Sequence, residues 1–281
     1  MSEFLHALRT HAFLQHAFLT GLLASVACGV VGSYVVARRI TYIAGAIAHC
    51  VLGGIGAARW LNVVGGWTWL QPLHGAVAAA LLAALVIGVV SLRARQREDT
   101  VIGAIWAIGM AAGILFIART PGYQEDLLGY LFGNILMVSR GDLWLVAGLD
   151  ALVLGLGLLF YHQFLAVCFD SEFARLRGVR VELFYLLLLL LTALTVVLLV
   201  TVVGIVLVIA LLTLPAAVAN HFSKTLWQMM AIGALCCALF TTGGLALSYA
   251  ANLPAGAVII LLAAAAWLLL DVHRFARRPR G

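Results

Sequence analysis

Apolar residues run in long blocks along this chain, and short polar segments separate them. A helix needs roughly 20 apolar residues to cross the hydrocarbon layer of a membrane. The 205–220 run is short and nearly abuts its predecessor at Gly204, so the pattern predicts eight to ten spans. We therefore predict an all-α, polytopic membrane bundle with short loops, forming a single transmembrane domain over residues 1–281. Nine runs approach or reach the required length: 13–37, 41–60, 73–92, 100–118, 143–161, 183–203, 205–220, 227–250 and 255–271.

Some apolar segments depart from this simple pattern. The stretch 127–138, LLGYLFGNILMV, is too short to cross, which predicts a half-helix or a re-entrant piece. Gly204 and Pro215 interrupt one long apolar stretch, where a broken helix could line a pathway. Small residues that favour close helix packing recur within the spans, at Gly53, Gly56, Gly109 and Gly113.

Composition supports the membrane interpretation. Apolar residues make up 64% of the chain and charged residues 10%, whereas soluble domains carry about 25% charged residues. A water-facing surface needs more charge than this, so a soluble domain, a disordered chain and a collagen-like chain are all excluded. The five cysteines are odd in number and lack C-x-x-C spacing, which favours buried free thiols over a disulfide or zinc framework.

The net charge of +6 is explained by position rather than by nucleic-acid binding. Basic residues concentrate in cytoplasmic loops of membrane proteins. If the N-terminus is outside and nine helices cross, only Arg9, Arg59, Arg119 and Arg140 lie outside or at that border. The C-terminus is then cytoplasmic. The other thirteen of the seventeen basic residues fall inside: Arg38, Arg39, Arg93, Arg95, Arg97, Arg175, Arg177, Arg180, Lys224, Arg274, Arg277, Arg278 and Arg280.

The chain shows no chemistry of its own. A G-x-x-x-x-G-K-[ST] phosphate-binding motif is absent, so any ATP-driven transport requires an ATPase on another chain. No nucleophile–base pair and no H-E-x-x-H motif stands out, which argues against an enzyme.

The inner segment 162–182 is amphipathic. Phe169, Phe173, Leu176 and Val179 recur at helical spacing beside charged residues. Such a helix lies along the membrane surface or docks into a partner's groove; the alternative is a solvated connecting helix.

Six motifs in order resemble the permease subunits of metal-type ABC transporters, over roughly residues 15–270. These importers carry zinc, manganese or iron(II) with a separate binding protein. The motifs are RRITYIAGAIAHCVLGG (38–54), REDTVIGAIWAIGMAAGILF (97–116), LLGYLFGNILMVSRGDL (127–143), FDSEFARLRGV (169–179), VVGIVLVIALLTLPAAVA (202–219) and LPAGAVIIL (253–261).

The resemblance implies a homodimeric permease in a bacterial cytoplasmic (inner) membrane. Two cytoplasmic ATP-binding subunits would drive it, and a periplasmic or extracellular solute-binding protein would deliver the metal. No tightly bound cofactor and no nucleic acid are implied; the divalent ion (Zn, Mn or Fe) is cargo. The resemblance also makes 162–182 the coupling helix, with contacts to the ATPase from Phe169, Asp170, Glu172, Phe173, Arg175, Arg177 and Gly178.

Family permeases place a carboxylate and an imidazole one helical turn apart in the second span. Here His49 stands at the imidazole position, but the carboxylate position is Gly45 and the family's serine is Ala48. The resemblance implies a translocation-path role for His49. The alternative is a histidine that hydrogen-bonds a backbone carbonyl inside the bundle.

Asp150 is the one acidic residue well inside a predicted span. A buried charge there is costly, so it should pair or face a cavity. It could replace the missing carboxylate if helix 143–161 packs beside helix 41–60, or it could serve structure by binding a polar group of a neighbouring helix.

Two rival functions remain. The same permease architecture could carry another cargo, because Gly45 removes the most metal-specific residue of the family pattern. A membrane-embedded metal or redox enzyme subunit would instead use His49, His162 and His221 as ligands, yet these lie in different elements.

Overall fold

The computed structural model describes residues 2–93, 98–121, 133 and 137–276. Every regular element in these residues is a helix. In chain order they are α1 (Ser2–Thr10), α2 (Ala12–Arg38), α3 (Thr41–Val63), α4 (Pro72–Arg93), α5 (Glu98–Ala118), α6 (Arg140–Leu159), α7 (Tyr161–Phe169), α8 (Ser171–Leu176), α9 (Val181–Val203), α10 (Ile205–Phe222), α11 (Leu226–Ala251) and α12 (Ala255–Ala276).

Within the described residues, nine helices are long and apolar enough to cross a membrane. They are α2 to α6 and α9 to α12, and they coincide with the nine apolar runs of the sequence. The predicted all-α polytopic bundle is therefore confirmed. Of the segment 127–138, only residues 133, 137 and 138 are described, so the predicted half-helix lies largely outside the described residues.

Polar side chains within the spans bond to the backbone of their own helix. The hydroxyls of Ser33, Thr192 and Thr195 each donate to the carbonyl oxygen four residues earlier, at 2.7–2.8 Å. A membrane interior supplies no water to polar groups, so such internal bonds are required for burial.

The helices α2 and α6 run in the same direction. Where both begin, the His16 ring nitrogen Nδ1 hydrogen-bonds the Val138 carbonyl oxygen at 3.2 Å. Where both end, the Tyr34 hydroxyl donates to the Gly157 carbonyl oxygen at 3.2 Å. Three further spans separate α2 from α6 in the chain, so parallel packing of these two agrees with four successive crossings.

The remaining spans also alternate in direction along the chain. The Arg38 guanidinium at the end of α2 lies 5.6 Å from the ring centre of Tyr185 at the start of α9. The ends of α10 and α12 meet where His221 Nε2 lies 3.5 Å from Asp271 Oδ1. We call the end of the bundle that carries Arg38, Tyr185 and His221 the basic end, and the opposite end, which carries Trp60 of α3, the tryptophan end.

Gly204 alone connects α9 to α10. Its φ of 87° and ψ of 161° lie in a region that side chains strongly disfavour, so glycine suits this reversal. The two helices contain 23 and 18 residues, and each is long enough to cross separately. The predicted interruption at Gly204 therefore separates two complete spans, and Pro215 lies inside α10 without ending it.

Glycines bring α3 and α5 into close parallel contact. A Cβ atom at Gly53 would lie 2.7 Å from the Gly109 carbonyl oxygen, and one at Gly56 would lie 2.8 Å from that of Gly113. Since real Cβ atoms do not approach so closely, the two backbones pack directly on each other, as the glycine pattern predicts. This contact sets the register of α5 on α3.

The segment 162–182, predicted as the amphipathic coupling element, is not one continuous helix. The chain forms α7 and α8 instead, with a bend at Asp170, whose φ of −150° and ψ of 94° are extended. Gly178 follows with a φ of 79°, and α9 begins at Val181. Asp170 ends the first helix and caps the second, which explains why the helical spacing does not persist as one rod.

Candidate translocation and coupling sites

One face of α3 carries His49, the residue of this span that is predicted to lie on the ion pathway. Tyr42, Gly45 and His49 follow one another at spacings of three and four, so they share that face. Trp106 of α5 covers it. The Trp106 ring centre lies 4.3 Å from that of His49 at an interplanar angle of 27°, and 5.5 Å from that of Tyr42.

The His49 ring is held on two sides. Its Nδ1 donates to the Gly45 carbonyl oxygen at 2.8 Å. A carbonyl oxygen only accepts, so Nδ1 must carry a proton, and Nε2 is the ring nitrogen that could bind a cation. A backbone bond of this kind typically fixes the tautomer of a metal-binding histidine. The structure thus contains the backbone contact expected of a packing histidine, and that contact leaves Nε2 suited to bind a cation.

A side chain at position 45, such as the carboxylate of the family pattern, would press on Trp106. A Cβ atom at this position would lie 3.0 Å from the nearest carbon of the Trp106 ring. The indole therefore occupies the space next to His49 into which a longer side chain at position 45 would extend.

Asp150 lies elsewhere in the bundle. It is 6% exposed, and its Oδ1 accepts a hydrogen bond from the Ala27 backbone N–H at 3.1 Å. Its helix α6 packs mainly against α2. No hydrogen bond or ion pair joins Asp150 to His49, although both residues are described. This geometry matches the structural alternative, in which Asp150 binds a polar group of a neighbouring helix.

The other histidines do not assemble a redox site. His221 donates from Nδ1 to the Ala217 carbonyl oxygen at 2.9 Å, and its Nε2 faces Asp271. His162 is exposed beside Tyr161. In the part of the chain that the structure describes, no group of three or more His, Cys, Asp or Glu side chains is arranged to hold a metal ion.

The segment from α7 to α8 presents an apolar surface to the outside. Phe169, Phe173 and Leu176 are 68%, 55% and 86% exposed, whereas Phe164 and Ala174 are buried against the bundle. Three large exposed apolar side chains at the basic end form a surface suited to binding another protein. We call these three residues the apolar coupling surface.

Local polar contacts keep this surface rigid. Asp170 Oδ1 accepts from the Phe173 backbone N–H at 2.9 Å, which caps α8. Arg175 forms an ion pair with Glu182 at 2.6 Å, which ties α8 to the start of α9. The Arg177 guanidinium lies 5.9 Å from the Phe173 ring centre. A force on the apolar coupling surface would therefore pass to α9.

Sequence analysis did not identify Trp106. Tryptophans in membrane proteins usually mark the interfaces, as Trp60, Trp67 and Trp69 do here. Trp106 instead lies in the interior of the α5 sequence, away from those three. A tryptophan at that depth beside a glycine-rich helix is a signal for a helix contact.

The described residues form a bundle with nine apolar helices long enough to cross a membrane, which is the architecture of a polytopic membrane protein. The chain belongs to the ABC 3 transport family, which matches residues 10–273. It is 45% identical over 259 residues to an uncharacterized membrane protein of Synechocystis sp., covering 92% of this chain and 90% of that protein.

Two further comparisons bear on function. The chain is 34% identical over 269 residues to the manganese transport system membrane protein MntC of Halalkalibacterium halodurans, covering 96% of this chain and 90% of MntC. Among solved structures, it is similar to PsaBC from Streptococcus pneumoniae in complex with Fab. That match has a TM-score of 0.83 and 32% identity, and it covers 95% of this chain and 94% of the other.

Proposed function

We propose that this protein is the permease subunit of an ATP-driven importer for a divalent transition metal ion. The observation that carries the proposal is His49, a half-buried imidazole inside a span, with its tautomer fixed by the Gly45 carbonyl oxygen. An ionisable residue held in this way within a membrane is typical of a transport pathway. Membership of the ABC 3 transport family and similarity to a manganese transport protein support the same conclusion.

The permease acts with other subunits. Two copies of the chain form the pathway, a solute-binding protein delivers the ion at the tryptophan end, and cytoplasmic ATP-binding subunits dock at the basic end. The complex lies in a bacterial cytoplasmic membrane with the C-terminus inside. The chain itself is not an enzyme, and ATP hydrolysis belongs to its partners.

Transport follows from alternating access. Closure of the ATP-binding subunits moves the apolar coupling surface, and the Arg175–Glu182 ion pair passes that movement to α9. The bundle then closes toward the binding protein and opens inward. His49 Nε2 offers the passing ion a single nitrogen ligand, which holds it weakly enough to release.

We propose zinc as the first candidate cargo, because an imidazole ligand suits it, and manganese or iron as the next. Similarity to a manganese transport protein supports manganese as strongly as zinc as the transported ion. The same architecture with a non-metal cargo is the competing proposal.

The test removes the imidazole. His49→Ala should abolish metal-dependent growth and radioactive zinc and manganese uptake in a strain that lacks its other importers, while the amount of protein in the membrane stays normal. His74→Ala, at an exposed position at the start of α4, is the matched control and should transport normally. Undiminished uptake by His49→Ala would remove this residue from the pathway.

A further inference from the structure

The contact between Trp106 and the His49 face of α3 bears on which ion passes. The indole stacks on the imidazole at 4.3 Å and closes the space beside Gly45. The glycine contacts between α3 and α5 hold this arrangement, because they fix the two helices at close range one to three turns further along. The ring is therefore built into the helix interface.

This arrangement keeps anionic ligands away from His49. No aspartate or glutamate occurs anywhere in residues 41–60. On α5, Asp99 precedes Trp106 by seven residues, which is about 10 Å along a helix. A Cβ atom at position 45 would lie 3.0 Å from the ring, so a carboxylate side chain there requires the indole to shift. The environment of Nε2 on these two helices is thus a neutral nitrogen donor beside an aromatic face.

Metal ions differ in how they respond to such a site. Imidazole suits zinc, iron and nickel, whereas carboxylate, carbonyl and water oxygens suit manganese. A site that offers imidazole and excludes carboxylate favours the first group. The ring face also attracts a cation without binding it as a ligand.

We propose that Trp106 is a specificity-determining positioning residue, which orients His49 and excludes a carboxylate, so that the pathway favours imidazole-binding ions such as Zn²⁺ over Mn²⁺. This inference rests on the proposed passage of the ion at His49. It gives Trp106 of α5 a role in ion selectivity, which the sequence of α3 alone does not predict.

Uptake kinetics of radioactive zinc and manganese test the inference, in cells that express the complete importer. Trp106→Ala should raise the apparent KM for zinc by about 10- to 100-fold, the effect typical of losing a group that orients a metal ligand. Vmax per folded transporter should change much less. Trp106→Phe keeps a stacking ring and should restore most of the zinc affinity.

A carboxylate is then introduced beside His49. Gly45→Asp alone should lower uptake of both ions, because the ring blocks the new side chain. Gly45→Asp combined with Trp106→Ala has room for the carboxylate, and the ratio of the manganese KM to the zinc KM should fall at least about tenfold relative to Trp106→Ala. Folded protein is measured by detergent gel filtration for every variant.

The outcomes separate this inference from the proposed function. If His49→Ala abolishes uptake while Trp106→Ala and Trp106→Phe keep the wild-type zinc KM and the wild-type KM ratio, the pathway stands and the role of Trp106 is wrong. The inference is also wrong if the ratio of the manganese KM to the zinc KM is the same in the Gly45→Asp, Trp106→Ala double variant as in Trp106→Ala. Normal uptake by His49→Ala removes His49 from the pathway and overturns this inference, whereas a wild-type complex that takes up neither zinc nor manganese rejects the proposed function itself.

Discussion

A buried carboxylate in a membrane must be stabilised by its neighbours, and Asp150 has one such neighbour. Its Oδ1 accepts from the Ala27 N–H, whereas Oδ2 has no hydrogen-bond partner in the structure. A bond from α6 to the backbone of α2 joins two spans that run in parallel. This contact indicates that Asp150 anchors α6, and a neutral side chain of the same shape would serve as well.

We therefore expect Asp150→Asn to retain uptake and thermal stability, because the amide oxygen still accepts from Ala27. Asp150→Leu removes the acceptor and should destabilise the fold by about 1–3 kcal/mol, the usual cost of an unmatched buried donor. The measurements are melting temperature in detergent and the KM for zinc. A raised KM in Asp150→Asn with normal stability would show instead that the negative charge contributes to ion passage.

Residues differ in how far the sequence predicts their contacts. The resemblance to the metal-transporter permeases predicts a role for His49, and the backbone bond from its ring to Gly45 is local, one helical turn away. The Trp106 contact joins α3 to α5 and depends on how these helices align. That alignment comes from glycine contacts whose partners are not visible in the pattern of either helix, so the sequence did not predict it.

At the scale of the element, the apolar coupling surface is the feature with the clearest consequence. Its three side chains point away from the rest of the chain, so their removal should cost little stability. In the complete complex they would be covered by the ATP-binding subunit.

Replacing both Phe169 and Phe173 by serine should therefore leave the melting temperature of the permease nearly unchanged. It should either release the ATP-binding subunits on purification or allow ATP hydrolysis without transport. Phe13→Ser, at the tryptophan end, is the matched control for an exposed phenylalanine and should leave the complex intact. Tightly coupled ATP hydrolysis in the double variant would place the coupling contact elsewhere.

The sequence predicted which side chains form this surface but not the bend within it. The helical spacing of Phe169, Phe173, Leu176 and Val179 predicts one apolar face, of which the first three are exposed while Val179 packs against the core. Asp170 was counted as part of the polar face, because periodicity gives no information on capping. Its side chain bonds the backbone of α8 instead, and aspartate commonly competes with helix continuation in this way.

At the scale of the whole molecule, contacts between helix ends show at which end of the bundle the basic residues of the described chain lie. Arg38, Arg175 and Lys224 follow spans that finish at the basic end, whereas Trp67 and Trp69 lie beyond α3 at the opposite end. The positive-inside rule then predicts that the basic end is cytoplasmic.

Cysteine labelling checks this orientation. Thr68→Cys should react with a membrane-impermeant maleimide in intact cells, and Lys224→Cys should react only after permeabilisation. The native cysteines give little background, since four are buried and Cys236 is half-buried. Labelling of both positions in intact cells would contradict the alternating arrangement.

The span count and the alternation of direction were predictable because length and hydropathy determine them. The choice of packing partners was not. Several spans are apolar on all sides, so no apolar face indicates which neighbour they contact. The pairing of α3 with α5, and of α2 with α6, arises from fitted shapes and single polar bonds.

The connection at Gly204 has a mechanical consequence. Helices α9 and α10 meet at one residue, and the start of α9 and the end of α10 both lie at the basic end. The start of α9 contacts α8 through the Arg175–Glu182 ion pair, and the end of α10 contacts α12 through His221 and Asp271. Since one residue connects the two helices, a movement of the Gly204 end of α9 would also displace the start of α10.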